Sequence, residues 1–173
     1  MNYFENERNL YWAKMKENAI IPTRESENAG YDMYACFDDD YILIEPHETK
    51  LIPTGVAWAS SEEFYLQIEE RSSTGSKGIK KSAGVIDSGY RGEIKIAITN
   101  SRNFAIIFSN LDDDALIEKY PNLMGGLYYS TKKAIAQAIV HRVEKMNEKV
   151  ISYEELSKIS SNRGDKGWGS SGK

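Results

Sequence analysis

The sequence predicts an all-β domain of the sandwich, barrel or jelly-roll class, and two observations carry that expectation. Segments of strand length recur through the middle of the chain at residues 41–44, 50–52, 55–58, 64–68 and 93–98, several of them alternating apolar with polar positions. Turn formers punctuate them at Pro46, Pro53, Gly55 and the pair Ser60-Ser61. Many short strands with close turns pack as two sheets or a closed barrel, whereas parallel α/β folds alternate strands with long helices.

Two segments depart from the strand pattern. Residues 112–120 open with acidic side chains and are followed by Pro121, the start and stop signals of a short helix. Ser152-Tyr153-Glu154-Glu155 matches a capping box and opens a helical turn expected to run through Ile159. Beyond it, residues 162–173 contain four glycines and almost nothing to bury, so composition alone reads them as a mobile tail. There is no internal repeat and no clear linker.

Length and composition set outer limits. A chain of 173 residues fits one domain with a sizeable core, and 40% hydrophobic with 28% charged residues is ordinary for a globular protein. The net charge of −4 argues against a broad basic surface for nucleic acid, and no direct nucleic-acid binding is expected. A small phosphorylated ligand remains open, because a few focused donors hold it whatever the global charge. No apolar run reaches the ~20 residues of a membrane helix, so no membrane association is expected. The N-terminus lacks the basic and apolar regions of a signal peptide, and the single cysteine, Cys36, fits a reducing cytoplasm.

Three segments have the composition for chemistry. Glu70-Arg71-Ser72-Ser73-Thr74-Gly75-Ser76-Lys77-Gly78 combines hydroxyls, glycine-flanked N–H groups and a guanidinium, the donors a phosphate needs, yet an ordinary polar connection has the same composition. In Ala83-Gly84-Val85-Ile86-Asp87-Ser88-Gly89-Tyr90-Arg91-Gly92-Glu93-Ile94, an apolar run, a turn and a resumed strand read as a β-hairpin. Spacing alone favours Asp87 as a turn residue over a carboxylate placed to take a proton from water. In the tail, Arg163, Trp168, Ser170 and Ser171 offer a cation, an aromatic plate and donors for a strap over a nucleotide, against the plain alternative of a disordered end. His47, His141, Asp38-Asp39-Asp40 and Asp112-Asp113-Asp114 lack metal-ligand spacing and read as ordinary surface or core groups.

Taken in order, these segments resemble the five motifs of one family, the homotrimeric dUTPases. Ala29-Gly30-Tyr31-Asp32-Met33 resembles the first motif, Arg71-Ser72-Ser73 the second and Gly84 through Glu93 the third. Ala134-Ile135-Ala136-Gln137 resembles the fourth, and Arg163-Gly164 with Gly167-Trp168-Gly169-Ser170-Ser171-Gly172 the fifth. The likeness spans residues 29–173, and the third and fifth motifs are long and specific.

The resemblance implies a jelly-roll subunit over residues 1–161, a flexible C-terminal strap over 162–173, and a homotrimer whose active sites are each built by several subunits. It implies hydrolysis of dUTP to dUMP and pyrophosphate, an activity that keeps uracil out of DNA and supplies dUMP for dTMP synthesis. Asp87 would activate the water that attacks the α-phosphorus. Gly84, Val85, Ile86 and, across the hairpin, Lys95 would bond the uracil edge, and Tyr90 would lie against the deoxyribose. Arg71, Ser72 and Ser73 from a neighbouring subunit would hold the phosphates, and Gln137 would help the water network on the same side as Asp32. Mg2+ would be held mainly by the triphosphate, with Asp32 reaching it through water. Trp168 would stack on uracil, while Arg163, Gly169, Ser170 and Ser171 close on the phosphate end.

Departures from the family pattern are Gly89, where a second acid is common, Ala134, where a basic residue is usual, and Trp168 for phenylalanine. The largest is an insertion at about residues 103–129 that contains the predicted helix. A similar insertion occurs in dUTPases of phages infecting Gram-positive bacteria, some of which bind repressor proteins. That makes the segment a candidate docking face as well as a plain surface flap, and points to bacterial or phage-infected host cytoplasm. Two rival readings are a dCTP deaminase, which shares the fold and an Arg-Ser-Ser loop, and a regulatory module in which catalysis is secondary. The deaminase carries a further arginine behind the serines, where this chain has Thr74-Gly75-Ser76.

Overall fold

Twelve strands and three short helices are formed among residues 8–165, the residues described by the computed structural model of the chain. The strands expected from sequence between residues 41 and 98 are all present, shifted by at most a few positions. Strand β1 (Tyr11–Lys14) pairs antiparallel with β5 (Val56–Ala59), setting Trp12 opposite Trp58. Strands β2 (Gly30–Met33), β12 (Ala136–Arg142), β6 (Phe64–Glu69) and β8 (Val85–Asp87) form a four-stranded antiparallel sheet in the order β2-β12-β6-β8. A third sheet contains β4 (Thr49–Pro53), β9 (Lys95–Asn100) and β7 (Ile79–Lys81) in the order β4-β9-β7. The period of two along β6 sends Leu66 and Ile68 into the core and leaves Tyr65, Gln67 and Glu69 half-exposed on the opposite face. The core joins Met33, Ile44, Trp58, Leu66, Ile68, Ile96 and Phe108, among others, into one cluster.

The fourth sheet explains the helix in the insertion. Strand β10 (Ile106–Ser109) pairs antiparallel with β3 (Tyr41–Ile44) and parallel with β11 (Leu127–Ser130). Parallel neighbours cannot be joined by a tight turn and need a crossover, usually helical. Residues 110–126 provide it, with α2 (Asp113–Lys119) and a 3-10 turn at Pro121–Leu123. Within the expected insertion at 103–129, Ile106 and Phe108 belong to the main core, whereas the 110–126 crossover packs apart from it. Nor is the crossover a loose flap. Ile107, on the other face of β10, packs with Leu116 and Leu123 into a small cluster of their own. Lys119 and the Tyr120 hydroxyl both hydrogen-bond the Asp40 carboxylate, and the Tyr120 ring meets Tyr41 edge-on at 4.9 Å. These bonds, Lys119 first, hold the Asp40 carboxyl below its ordinary range. This tie contributes at pH above the ordinary carboxylate range and fades as pH falls through the lowered value.

The chain divides into two compact units, Met1–Val143 and Glu144–Lys173. In the second unit the Ser152 hydroxyl accepts the Glu155 N–H and the Glu155 carboxylate accepts the Ser152 N–H, the predicted capping box, which opens α3 (Tyr153–Ser157). The helix stops short of Ile159 because no residue of this turn is buried to extend it. Among the described residues, no helix is long and apolar enough to cross a membrane.

Leu116 tests whether the crossover packs as its own unit. Leu116→Ala empties a fully buried site and is expected to cost about 2–5 kcal/mol locally. Hydrogen exchange should show amides of 113–123 losing protection while β6 and β12 keep theirs, and equal loss in both would contradict separate packing.

Candidate active site

Register along β12 arranges the first group of polar side chains. Gln137 pairs with Asp32 on β2 and with Glu69 on β6, so the three lie side by side on the outward face. Gln137 donates from its amide to the Glu70 carbonyl at 2.9 Å. It lies across Gly30, where a Cβ atom would sit 2.6 Å from the Gln137 Oε1. That close approach is why a glycine precedes Tyr31-Asp32.

Arg71 joins this group. Its guanidinium grips the Asp32 carboxylate with Nε at 3.0 Å and Nη2 at 3.3 Å, and donates from Nη1 to the Ala134 carbonyl at 3.3 Å. The Tyr129 hydroxyl donates to that same carbonyl at 2.9 Å. The fourth-motif alanine thus contributes its peptide oxygen, which orients the arginine. Residues 72–75 form a one-turn helix, α1 (Ser72–Gly75), where a polar connection was expected. The buried Thr74 makes the turn: its hydroxyl donates to the Arg71 carbonyl and accepts the Arg71 N–H. Ser72 and Ser73 stay exposed beside Arg71.

The second group sits on the third motif, and here the simple hairpin expected from sequence is not what forms. The arms pair at their base, where β7 meets β9 and the Ser82 N–H reaches the Ala97 carbonyl at 2.9 Å. Beyond Ser82 they part. The upper arm joins β6, with Asp87 opposite Tyr65 and the Ile68 N–H donating to the Gly84 carbonyl at 2.8 Å. The lower arm stays with β4, where Lys95 pairs with Pro53. Each arm finds a partner with buried apolar neighbours on another strand, so no β8–β9 ladder forms among the described residues. What remains is a slot bordered by two strand edges. Gly84 fits because a Cβ there would lie 2.8 Å from the Ile68 carbonyl oxygen. At the tip, the Tyr90 N–H bonds the Asp87 carbonyl at 3.1 Å in a tight turn, and Asp87, Val85, Tyr90 and Lys95 are exposed around the slot.

Asp32, Gln137 and Asp87 therefore share one sheet face, but one chain does not bring them together. Asp87 is level with Tyr65 and Gln137 with Glu69, an offset of four residues, about 13 Å along the strand. Within one copy Gln137 therefore lies with Arg71 and Asp32 and apart from Asp87. Arg163 is exposed in the second unit, its N–H bonded to the Ser161 hydroxyl at 3.2 Å. Trp168, Gly169, Ser170 and Ser171 lie outside the described residues. Cys36 is buried against Asn18 with its thiol pushed up by burial, and His47 bonds Asn103 at the surface, so neither enters the site. The sequence reading missed Tyr129, whose signal lies only in the fold, and Thr74, which a count of hydroxyls in 70–78 contained without distinguishing it.

Gly30→Ala should force the Gln137 side chain off its perch and lower stability by about 1–3 kcal/mol, read as a drop in Tm. An unchanged Tm would mean that the Gln137 pose is not fixed there.

A model of the dUTPase family matches residues 16–111. The deoxyuridine 5'-triphosphate nucleotidohydrolase of Nautilia profundicola is 32% identical over 164 residues, covering 92% of this chain and 96% of that protein. The enzyme of the same name from vaccinia virus (strain Copenhagen) is 33% identical over 166 residues, covering 93% and 91%. Among solved structures, the dUTPase of Staphylococcus bacteriophage 80alpha with dUPNHPP superposes with a TM-score of 0.70 at 24% identity, covering 95% of this chain and 99% of that one. The dUTPase of phage phi11 of S. aureus, a structure that visualises a species-specific insert, superposes at 0.64 with 23% identity over 83% and 96%. The two phage structures give the fold, a jelly roll. Because the family model covers more than half of the chain and the two relatives match along nearly all of it, the chain belongs to the dUTPase family.

Proposed function

We propose that this chain hydrolyses dUTP to dUMP and pyrophosphate, in sites that several copies of the chain complete. The observation that carries the reading is the opened third-motif hairpin with Asp87 at its rim. Two strand edges with free N–H and C=O groups suit a flat base whose own edge carries both donors and acceptors. Gly84, Val85, Ile86 and Lys95 border that slot, and its backbone edges would bond the uracil. Tyr90 stands at its mouth to meet the sugar. The Asp87 carboxylate takes a proton from water as the water oxygen bonds to the α-phosphorus and the bridging oxygen leaves with pyrophosphate. Such in-line displacements are driven mainly by positioning and by neutralising charge.

Arg71, Ser72 and Ser73 supply the phosphate donors, with Gln137 beside them. Their 13 Å-scale offset from Asp87 supports a homotrimer in which one copy offers the slot and another the phosphate group, since four residues of strand separate the two groups by about that distance. Residues 144–159 add a second support, with Met146, Val150, Tyr153, Leu156 and Ile159 exposed as an apolar segment of the kind that packs between copies. Arg163, Trp168, Gly169, Ser170 and Ser171 form the strap that closes over base and phosphates.

Mg2+ fits this donor set as a companion of the triphosphate. Among the described residues no three His, Cys, Asp or Glu side chains gather to cage a metal, and Asp32, half-engaged by Arg71, suits contact through water. When bound, the ion would neutralise charge on the phosphate oxygens. A cytoplasmic setting suits the buried, reduced Cys36. The crossover at 110–126, with Met124 exposed, is the face on which a repressor-type protein would dock.

Pyrophosphate release measured with dUTP, dTTP, UTP and dCTP, with and without Mg2+, should respond to dUTP with the ion; ammonia from dCTP would establish the deaminase instead. Asp87→Asn is expected to lower kcat by about 10²–10⁴-fold while the protein stays folded. Near-normal turnover in that variant would remove Asp87 from its role. Truncation after Asn162 is expected to reduce kcat/KM at least about tenfold, the loss of one stacking or charge-assisted contact, with little change in Tm. An unaltered kcat/KM would exclude the strap.

A further inference from the structure

The lower arm of the slot is tied down at one place, and that place is built around Glu93. Gly55 connects β4 to β5 with a left-handed φ of +66°, and a Cβ there would meet Ala19 at 2.8 Å and the Cys36 Sγ at 2.9 Å. Its carbonyl accepts the Met15 N–H at 2.7 Å, so the Gly55 peptide is fixed from the β1 side. Its N–H donates to the Glu93 Oε1 at 2.8 Å. The adjoining backbone follows: the Ile94 N–H donates to the Val56 carbonyl at 2.9 Å, and the buried Thr54 hydroxyl to the Ile94 carbonyl at 2.6 Å. Glu93 is therefore the last residue anchored before the chain runs out to the tip.

The tip depends on that anchor. The Tyr90 hydroxyl donates to the Glu93 carbonyl at 3.0 Å. Its ring lies against Gly92, where a Cβ would come within 2.5 Å of the hydroxyl oxygen. The Arg91 guanidinium is spent on the Ser88 and Tyr90 carbonyls of the tip itself. The position of the Tyr90 ring is thus inherited from the Glu93–Ile94 peptide, which the Ile94 N–H holds to Val56 and the Glu93 carboxylate braces through its bond to Gly55. Glu93 retains only 21% of its side-chain exposure, with Oε1 taken by Gly55 and Lys95 Nζ 4.0 Å from its second oxygen.

We infer that Glu93 is a positioning residue for substrate choice: its bond to the Gly55 N–H sets the width of the base slot and the place of the Tyr90 ring against the sugar. The inference rests on the reading that this hairpin receives the base and sugar of dUTP. A carboxylate that locates a sugar-facing ring controls discrimination between deoxyribose and ribose more than the chemical step, since the ring's closeness to C2′ decides whether a hydroxyl fits.

The test compares the full-length enzyme with Glu93→Gln, Glu93→Ala and Glu93→Asp, measuring kcat and KM for dUTP and UTP together with Tm. Glu93→Gln keeps an acceptor oxygen in reach of Gly55 and is expected to stay within about twofold of the parent in every parameter. Glu93→Ala loses the acceptor, and the preference for dUTP over UTP is expected to fall about tenfold, with the KM for dUTP rising more than its kcat falls. Glu93→Asp keeps the charge but is one methylene short of Gly55, and should match the alanine variant; it decides the matter if the alanine variant does not fold. Unchanged discrimination in the aspartate variant, or damage in the glutamine variant equal to that of alanine, would overturn the inference. If the parent enzyme itself releases no pyrophosphate from dUTP, the functional reading fails first, a result separate from any behaviour of Glu93.

Discussion

The pairing of β12 between β2 and β6 constrains everything polar on the outward face of the four-stranded sheet. Because side chains on a strand alternate, a single residue of slip would turn Gln137 and its neighbours into the core and bring Ala136 and Ala138 out. The buried row of Met33, Ala136, Ala138, Leu66 and Ile68 forbids that slip, and in doing so holds Asp32, Gln137 and Glu69 abreast. Arg71 leaves the end of β6 directly beside this row, so its bidentate contact with Asp32 follows from register and needs no long loop. The same register puts Asp87 out of reach of that group. Core packing thus decides which of these polar side chains meet within one copy.

An open strand edge is normally a liability, since unpaired N–H and C=O groups recruit other strands. Here the two edges of the slot are short, and each borders exposed side chains such as Asp87 and Lys95, so the edge is too brief and too charged to template a partner strand. The arms are held apart for a structural reason: β6 holds one and β4 the other, and closing them would break ladders whose apolar faces are buried.

The strands between residues 41 and 98 were legible because period-two alternation and turn residues report directly on a half-buried sheet, and the helix at 113–119 because its acidic first turn and following proline are local signals. The Ser152 capping box was legible for the same reason. What local signals do not carry is pairing. Nothing in Val85-Ile86-Asp87 says that its neighbour is β6 and not the strand that follows it, and so the hairpin was read as closed. Nor does the sequence carry the packing of the apolar run at 105–108, which meets the main core on one face and the crossover on the other. The site residues were named from an ordered set of motifs, whereas the physical reading of Asp87 alone favoured a turn. The turn is real, with the Tyr90 N–H on the Asp87 carbonyl, and it leaves the carboxylate exposed at the rim; the two readings describe one residue.

The crossover at 110–126 illustrates how such a domain can take on extra polypeptide. Its own cluster of Ile107, Leu116 and Leu123 is separate from the main core, so its surface can change without disturbing β6 or β12. Its roots are less free. Tyr129, on the strand that receives the crossover, shares the Ala134 carbonyl with Arg71 and lies beneath the Lys77 ammonium at 5.5 Å. On the other flank, Arg102 donates to the Lys77 carbonyl at 2.8 Å just past α1. Both flanking segments therefore touch the stretch that carries Arg71, Ser72 and Ser73. Length and sequence can vary at the apex, where only the small cluster is affected, but the strands that bear the crossover are tied to the stretch around Arg71.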